Sequence, residues 1–207
     1  EDDIEKLNYH ESPHFVSLSG MWKMRSSYEY HDIAEEVENK DFSVDGWKDV
    51  NVPSLDYNVN SSVITNALSI SKKENTTLTF YKEFDVPNIW EDYRAIGRFQ
   101  ARSAYYIWVN HQFVGYSEDS RDYSEFDISK FLKYGEKNFV VIQVISTSDG
   151  SLLESNFSRS FVGITSDVSV VLKPVVSVYD FKITSDYDNH TGRFDFDVKA
   201  QIDNVKK

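Results

Sequence analysis

Cleaving a glycosidic bond normally takes two carboxyl groups facing each other across it, about 5 to 9 Å apart. The 207-residue sequence holds 34 Asp and Glu, so acidic pairs are easy to find and individually uninformative. Glu118 and Asp119 stand at the end of a strand-like segment, and Asp149 and Glu154 share a loop-like one. Acidic side chains of this kind face water as a rule, and both pairs read as solvated turns. The five histidines, His10, His14, His31, His111 and His190, show no His-Glu-x-x-His or other metal-ligand spacing. There is no Gly-x-Ser-x-Gly elbow and no Gly-rich phosphate loop. The absence of cysteine excludes thiolate nucleophiles, thiolate metal sites and disulfides together. Taken alone, these residues describe no catalytic centre, no cofactor site and no metal site.

Sugar binding asks for something else: an aromatic platform for the C–H faces, with amides or carboxylates for the hydroxyls. Four tryptophans could supply platforms. Trp22 and Trp108 lie in strand-like segments and read as core; Trp47 and Trp90 lie near loops and are somewhat better platform candidates, although packing is the commoner role for them too. Asn-x-Ser/Thr sequons occur at Asn60, Asn75, Asn156 and Asn189, and they matter only in a eukaryotic secretory pathway.

The elements that must position such residues are strands. Val, Ile, Phe and Tyr outweigh Leu and Ala among the apolar residues, and 15% of the chain is aromatic. Such side chains pack well on a pleated, half-buried surface. In LTFYKEFDV (78–86), Leu78, Phe80, Lys82, Phe84 and Val86 share one face. AYYIWV (104–109) is apolar on both faces, which is read as a strand inside a two-layer sandwich. Asn110 and His111 then form a tight turn, with His where Gly is usual, before QFVGYS resumes the pattern. NFVVIQVIS (138–146) and DVSVVLK (167–173) complete the strong strands, in the spacing of a sandwich or jelly roll. Helical signal is confined to 31–39 and to one turn at 129–134, capped by Ser129 and stopped by Gly135. Residues 54–76, rich in Ser, Asn and Thr, read as a long loop.

Pro174 marks a domain boundary, giving one domain over 1–174 and the start of another over 175–207. Two alternating segments follow it, joined by the turn-like DNHT, and a lone hairpin of this kind is marginal in water. The net charge of −12 makes nucleic acid and membrane surfaces poor partners. No apolar run approaches the roughly 20 residues that span a bilayer. The charged first residues are unlike a signal peptide, which leaves the location of the protein open.

Three segments carry a family resemblance. YYIWVNHQFVGYSEDSRDYSEFDISKFL (105–132), GEKNFVVIQVISTSDGSLLE (135–154) and GITSDVSVVLK (163–173) resemble consecutive stretches of glycoside hydrolase family 2 β-galactosidases. LSGMWKM and DGWKDVNVPS match that family's opening segments, so the resemblance runs in order over roughly residues 15 to 185. It implies a jelly-roll sugar-binding domain followed by the first strands of an immunoglobulin-like sandwich, both all-β. In the family a (β/α)₈ barrel comes next and holds a glutamate acid/base and a glutamate nucleophile, which cleave with retention. This chain would then be a non-catalytic scaffold, inactive alone, whose partners are its own downstream barrel and, through the parent enzyme, a β-galactoside or related glycan. The resemblance also implies homo-oligomer assembly, with no cofactor in this stretch and any metal ion belonging to the parent.

Two loops of the family's first domain reach the active site. The Asn of the first is matched by Asn75, which is the substrate-binding residue the resemblance implies. The galactose-contacting Asp of the second aligns with Phe157, and a following Trp with Arg159. Phenylalanine cannot accept the sugar's hydrogen bonds, so the substrate loops have diverged while the strand framework has not. Arg121 is expected to pair with Glu118, Asp119 or Glu125 and pin the framework loops. Alternatives to the β-galactosidase reading are a stand-alone carbohydrate-binding module and the same domain of a β-glucuronidase or β-mannosidase.

Overall fold

The computed structural model describes residues 12, 14–55, 57, 75–119, 121–153 and 162–204. Twelve strands run in the order β1 (Phe15–Ser17), β2 (Gly20–Ser27), β3 (Lys48–Val52), β4 (Thr77–Asp85), β5 (Tyr93–Phe99), β6 (Tyr105–Val109), β7 (Gln112–Ser117), β8 (Ser124–Asp127), β9 (Lys137–Ile145), β10 (Ser169–Pro174), β11 (Val176–Asp188) and β12 (Arg193–Asn204). Two short helices accompany them, α1 (Ala34–Glu38) and α2 (Asp149–Leu153). β1, β10, β5 and β8 form a four-stranded sheet, and β3, β2, β4, β9, β6 and β7 a six-stranded one. The pairs are antiparallel, so the all-β sandwich expected from alternation is the fold.

The main core lies between the sheets and includes Trp22, Leu78, Phe80, Phe99, Ile107, Ile142, Val170 and Leu172. A second, smaller cluster of Ile33, Val37, Trp47, Trp108 and Val141 has Phe42, Tyr81, Tyr106 and Phe139 packed against it. It covers the outer face of the six-stranded sheet, beneath α1 and the segment leading to β3. Hence β6 and β9 are apolar on both faces: Ile107 and Ile142 look inward, Trp108 and Val141 outward. On β4 and just past its end the core-facing set is Leu78, Phe80, Phe84 and Val86, and Lys82 between them is only partly buried, donating to the Met21 carbonyl at 2.8 Å.

The turn between β6 and β7 has positive φ at both Asn110 (49°) and His111 (67°), the geometry a two-residue hairpin demands. The 129–134 turn is a 3₁₀ turn over Ser129–Phe131, and Ser129 is not its cap. The Ser129 hydroxyl accepts from the Ala95 amide, while Asp127 accepts from the Ser129 amide. Gly135 does end the segment, at φ 74°. The 31–39 helix is present as the shorter α1. Most of the 54–76 loop lies outside the described residues.

β11 and β12 pair only with each other and form a separate ribbon with a bulge at Tyr179. Tyr187 opposite Phe194, Ile183 opposite Val198 and Val178 opposite Ile202 share one face; Asp186 opposite Asp195 and Lys182 opposite Lys199 share the other. The apolar side chains of the ribbon are exposed. Arg94 on β5 bridges the two units, holding Asp203 of β12 at 2.9 Å and Asp127 of β8 at 3.1 Å.

Candidate functional site

Polar side chains gather at one end of the sandwich, where β4 begins and β9 ends. Thr77 pairs with Ile145 there, so Asn75 and Thr76 enter beside Ser146 and Thr147. Asn75 is buried, 6% exposed. Its amide oxygen accepts from the Ser146 hydroxyl (2.8 Å) and the Thr147 amide (3.0 Å), and Nδ2 donates to the Thr147 carbonyl (2.8 Å). Both lone pairs of that oxygen are therefore taken from within the chain. The Ser146 amide adds a 2.8 Å bond to the Thr76 carbonyl.

The next residues close on themselves. Ser148 and Ser151 exchange amide-to-hydroxyl bonds of 2.9 and 3.1 Å, and the Ser151 hydroxyl donates to the Ser148 carbonyl at 2.8 Å. This ring opens α2. Ser103, on the turn between β5 and β6, reaches it from the other side, its hydroxyl 3.3 Å from that of Ser148. Ser103 holds φ at 83°, a left-handed backbone that side-chain-bearing residues rarely adopt. Next to it, the Arg102 amide donates to the Gly163 carbonyl at 2.9 Å. Gly163 has φ 114° and the Tyr57 ring against it, where a Cβ would come within 2.6 Å. The Tyr57 hydroxyl donates to the Ile164 carbonyl and accepts from the Ser54 amide. Burial raises the Tyr57 pKa well beyond the usual phenol range, so the hydroxyl stays protonated as that donor.

Asn75 is thus placed at this end with its carbonyl committed to the loop. Phe157, Arg159, Glu154, Asn60 and Asn156 lie outside the described residues. Asn189 stands exposed in the ribbon turn. Glu118 accepts from the Tyr116 hydroxyl and packs against Gly150, so it braces α2. Asp119 accepts from the amides of Asp122 and Arg121, which hold its carboxyl below the usual carboxylate range. Arg121 pins its loop through its main chain: the amide binds Asp119 and the carbonyl accepts from Gln100. Glu125, an expected partner of Arg121, is bound at 3.1 Å by Lys173 and lies 3.2 Å from Arg98 Nε. That second contact is an ion pair without hydrogen-bond alignment.

Trp47 and Trp90 take the packing role and not that of a platform. Trp90 is buried in the main core and Trp47 in the outer cluster. The Arg25 guanidinium sits 5.1 Å from the Trp47 ring centroid, over the face a sugar would use, and is held there by Glu36 at 2.9 Å. The concavity beside it, about 530 Å³, is shared by Arg25, Ser43, Asp45 and Lys48. Trp22 and Trp108 are core residues, as expected. Among the described residues, no three His, Cys, Asp or Glu gather to hold a metal ion. What sequence reasoning missed is Ser103 and Tyr57, since neither a left-handed serine nor a long-range tyrosine bond leaves a local signature.

The same β-sandwich fold recurs in solved structures of longer proteins. A β-glucuronidase structure from an uncultured Clostridium sp. matches 91% of the chain with a TM-score of 0.66 at 18% identity, using 33% of that protein. The Ruminococcus gnavus β-glucuronidase matches 91% of it with a TM-score of 0.63 at 18% identity, again over 33% of that chain. More particularly, the chain belongs to the sugar-binding domain of the glycosyl hydrolases family 2, whose family model matches residues 15–174. It is 32% identical over 92% of its length to a β-galactosidase of Priestia megaterium, and 30% identical over 83% to one of Psychromonas ingrahamii. The chain spans 20% and 17% of those two relatives.

Proposed function

We propose that this chain is the scaffold domain of a β-galactosidase-like retaining glycosidase and helps shape an active site formed by a catalytic barrel elsewhere in that enzyme. The observation that carries this reading is sequence identity of 30 to 32% with β-galactosidases over nearly the whole chain, against only a fifth of their length. The end bearing Asn75 and the 146–151 loop faces that barrel, and Asn75 lies where it contributes to the sugar contact. Residues 1–174 form the sugar-binding domain. Residues 175–207 begin an immunoglobulin-like domain whose further strands cover the ribbon's apolar face.

The test is hydrolysis of nitrophenyl β-galactoside by the full-length parent beside the isolated chain. Turnover by the parent and none by the chain is expected; turnover proportional to the concentration of the isolated chain refutes the scaffold role. A second reading, a β-glucuronidase, is favoured by the matching solved structures. A nitrophenyl β-glucuronide in the same assay decides between the two sugars. Homo-oligomerisation of the parent belongs to the same proposal and is read by light scattering.

A further inference from the structure

We infer that Asn75 and Ser103 are a pair of positioning residues that lock the 146–151 loop from its two flanks. The loop's own bonds, between Ser148 and Ser151, hold it to itself and to nothing else. Among the described residues, the Ser146 amide on the Thr76 carbonyl and Glu118 against Gly150 also hold it, but the buried polar side chains that fasten it are Asn75, with three amide bonds on the β4 side, and Ser103, whose hydroxyl reaches it on the β5–β6 side. Both anchors are buried, so water does not compete freely for these groups.

Ser103 is held in its unfavourable backbone by its neighbours. Arg102 is bridged to Gly163, and the Ala104 carbonyl accepts from the Ile145 amide at 2.9 Å. A strained residue kept in place by such over-determination marks a site where geometry matters. The strain places the hydroxyl against Ser148, at the first turn of α2. Asn75 performs the matching task with an oxygen whose acceptor capacity is fully used. Its contribution to a bound ligand is therefore exerted mainly through the loop. This rests on the proposal above only for what the loop faces; the clamp itself is a property of this chain.

Amide hydrogen exchange on the 207-residue chain, followed by NMR, tests it. Thr147 loses its acceptor in Asn75→Ala by definition, so the reporters are the Ser148 and Ser151 amides, whose acceptors lie inside the loop. Each should exchange about tenfold faster in Asn75→Ala, with β4 and β9 amides unaltered. Ser103→Gly relieves the backbone strain and removes the hydroxyl. A purely conformational role predicts slower opening, whereas the clamp predicts the same roughly tenfold acceleration. Exchange at Ser148 and Ser151 that stays within about twofold of the parent chain in either variant overturns the inference. Ser103→Gly carries the decision if Asn75→Ala loosens β4 or β9. Because no sugar enters this experiment, its failure is distinct from failure of the hydrolysis test.

Discussion

Asn138 satisfies four groups from inside the sandwich. Its oxygen accepts from the Lys133 amide and the Asn110 side chain, and its nitrogen donates to the Lys133 and Glu136 carbonyls. Replacement by Ala leaves these groups unpaired where it is 1% exposed, and should cost about 3 kcal/mol in urea unfolding. Asp127 carries a pH prediction. Partial burial raises its pKa, but the Ser129 hydroxyl and amide and the Arg94 guanidinium outweigh burial and hold it below the usual range. The folded state thus binds this proton less readily than the unfolded one. The stabilisation is complete above the unfolded value of about 3.9 and is lost as pH falls through the lower folded value. Asp127→Asn should lower stability at pH 7 and flatten its decline below about pH 4, read from thermal melts across pH. At this scale the sequence is least legible. Trp47 and Ser129 have their roles set by partners far along the chain, Arg25 and Ala95, which residue type and neighbourhood do not reveal.

Strands read well because alternation is a local signal, but the outer cluster that covers β6 and β9 was not expected. It was hard to see: α1 is five residues long, too short for helical periodicity to show which face it buries. The β6–β7 turn shows how a wrong-looking residue is explained by such contacts. His111 stands where Gly is easier, yet its Nδ1 donates to the Val37 carbonyl at 2.8 Å and its ring meets Phe139 edge-on at 4.8 Å. The turn residue thereby fastens the end of α1. His111→Gly should ease the backbone while loosening α1, giving a stability change within about 1 kcal/mol and clearly faster exchange at Val37.

At the scale of the whole molecule, the ribbon is joined to the sandwich through Arg94, whose side chain is 19% exposed between two carboxylates. Arg94→Ala should speed amide exchange at 176–178 and 202–204 while lowering the sandwich melting temperature by less than about 5 °C. The pairing of β11 with β12 follows the two alternating segments read from the sequence, and two such strands cannot bury a face by themselves. The arrangement at the Asn75 end was not legible in the sequence, since its bonds join residues about seventy positions apart. The small outer core beneath α1 has a consequence for how such a domain is passed between proteins. The six-stranded sheet arrives already roofed, so its folding asks nothing of a host on that side. The four-stranded sheet turns outward the charges of Arg94, Arg98, Lys173, Glu125 and Asp127, a surface content in water. Only the loop end and the ribbon have to be fitted to a new neighbour. A unit built this way should keep its sandwich when changes are confined to its end loops and ribbon.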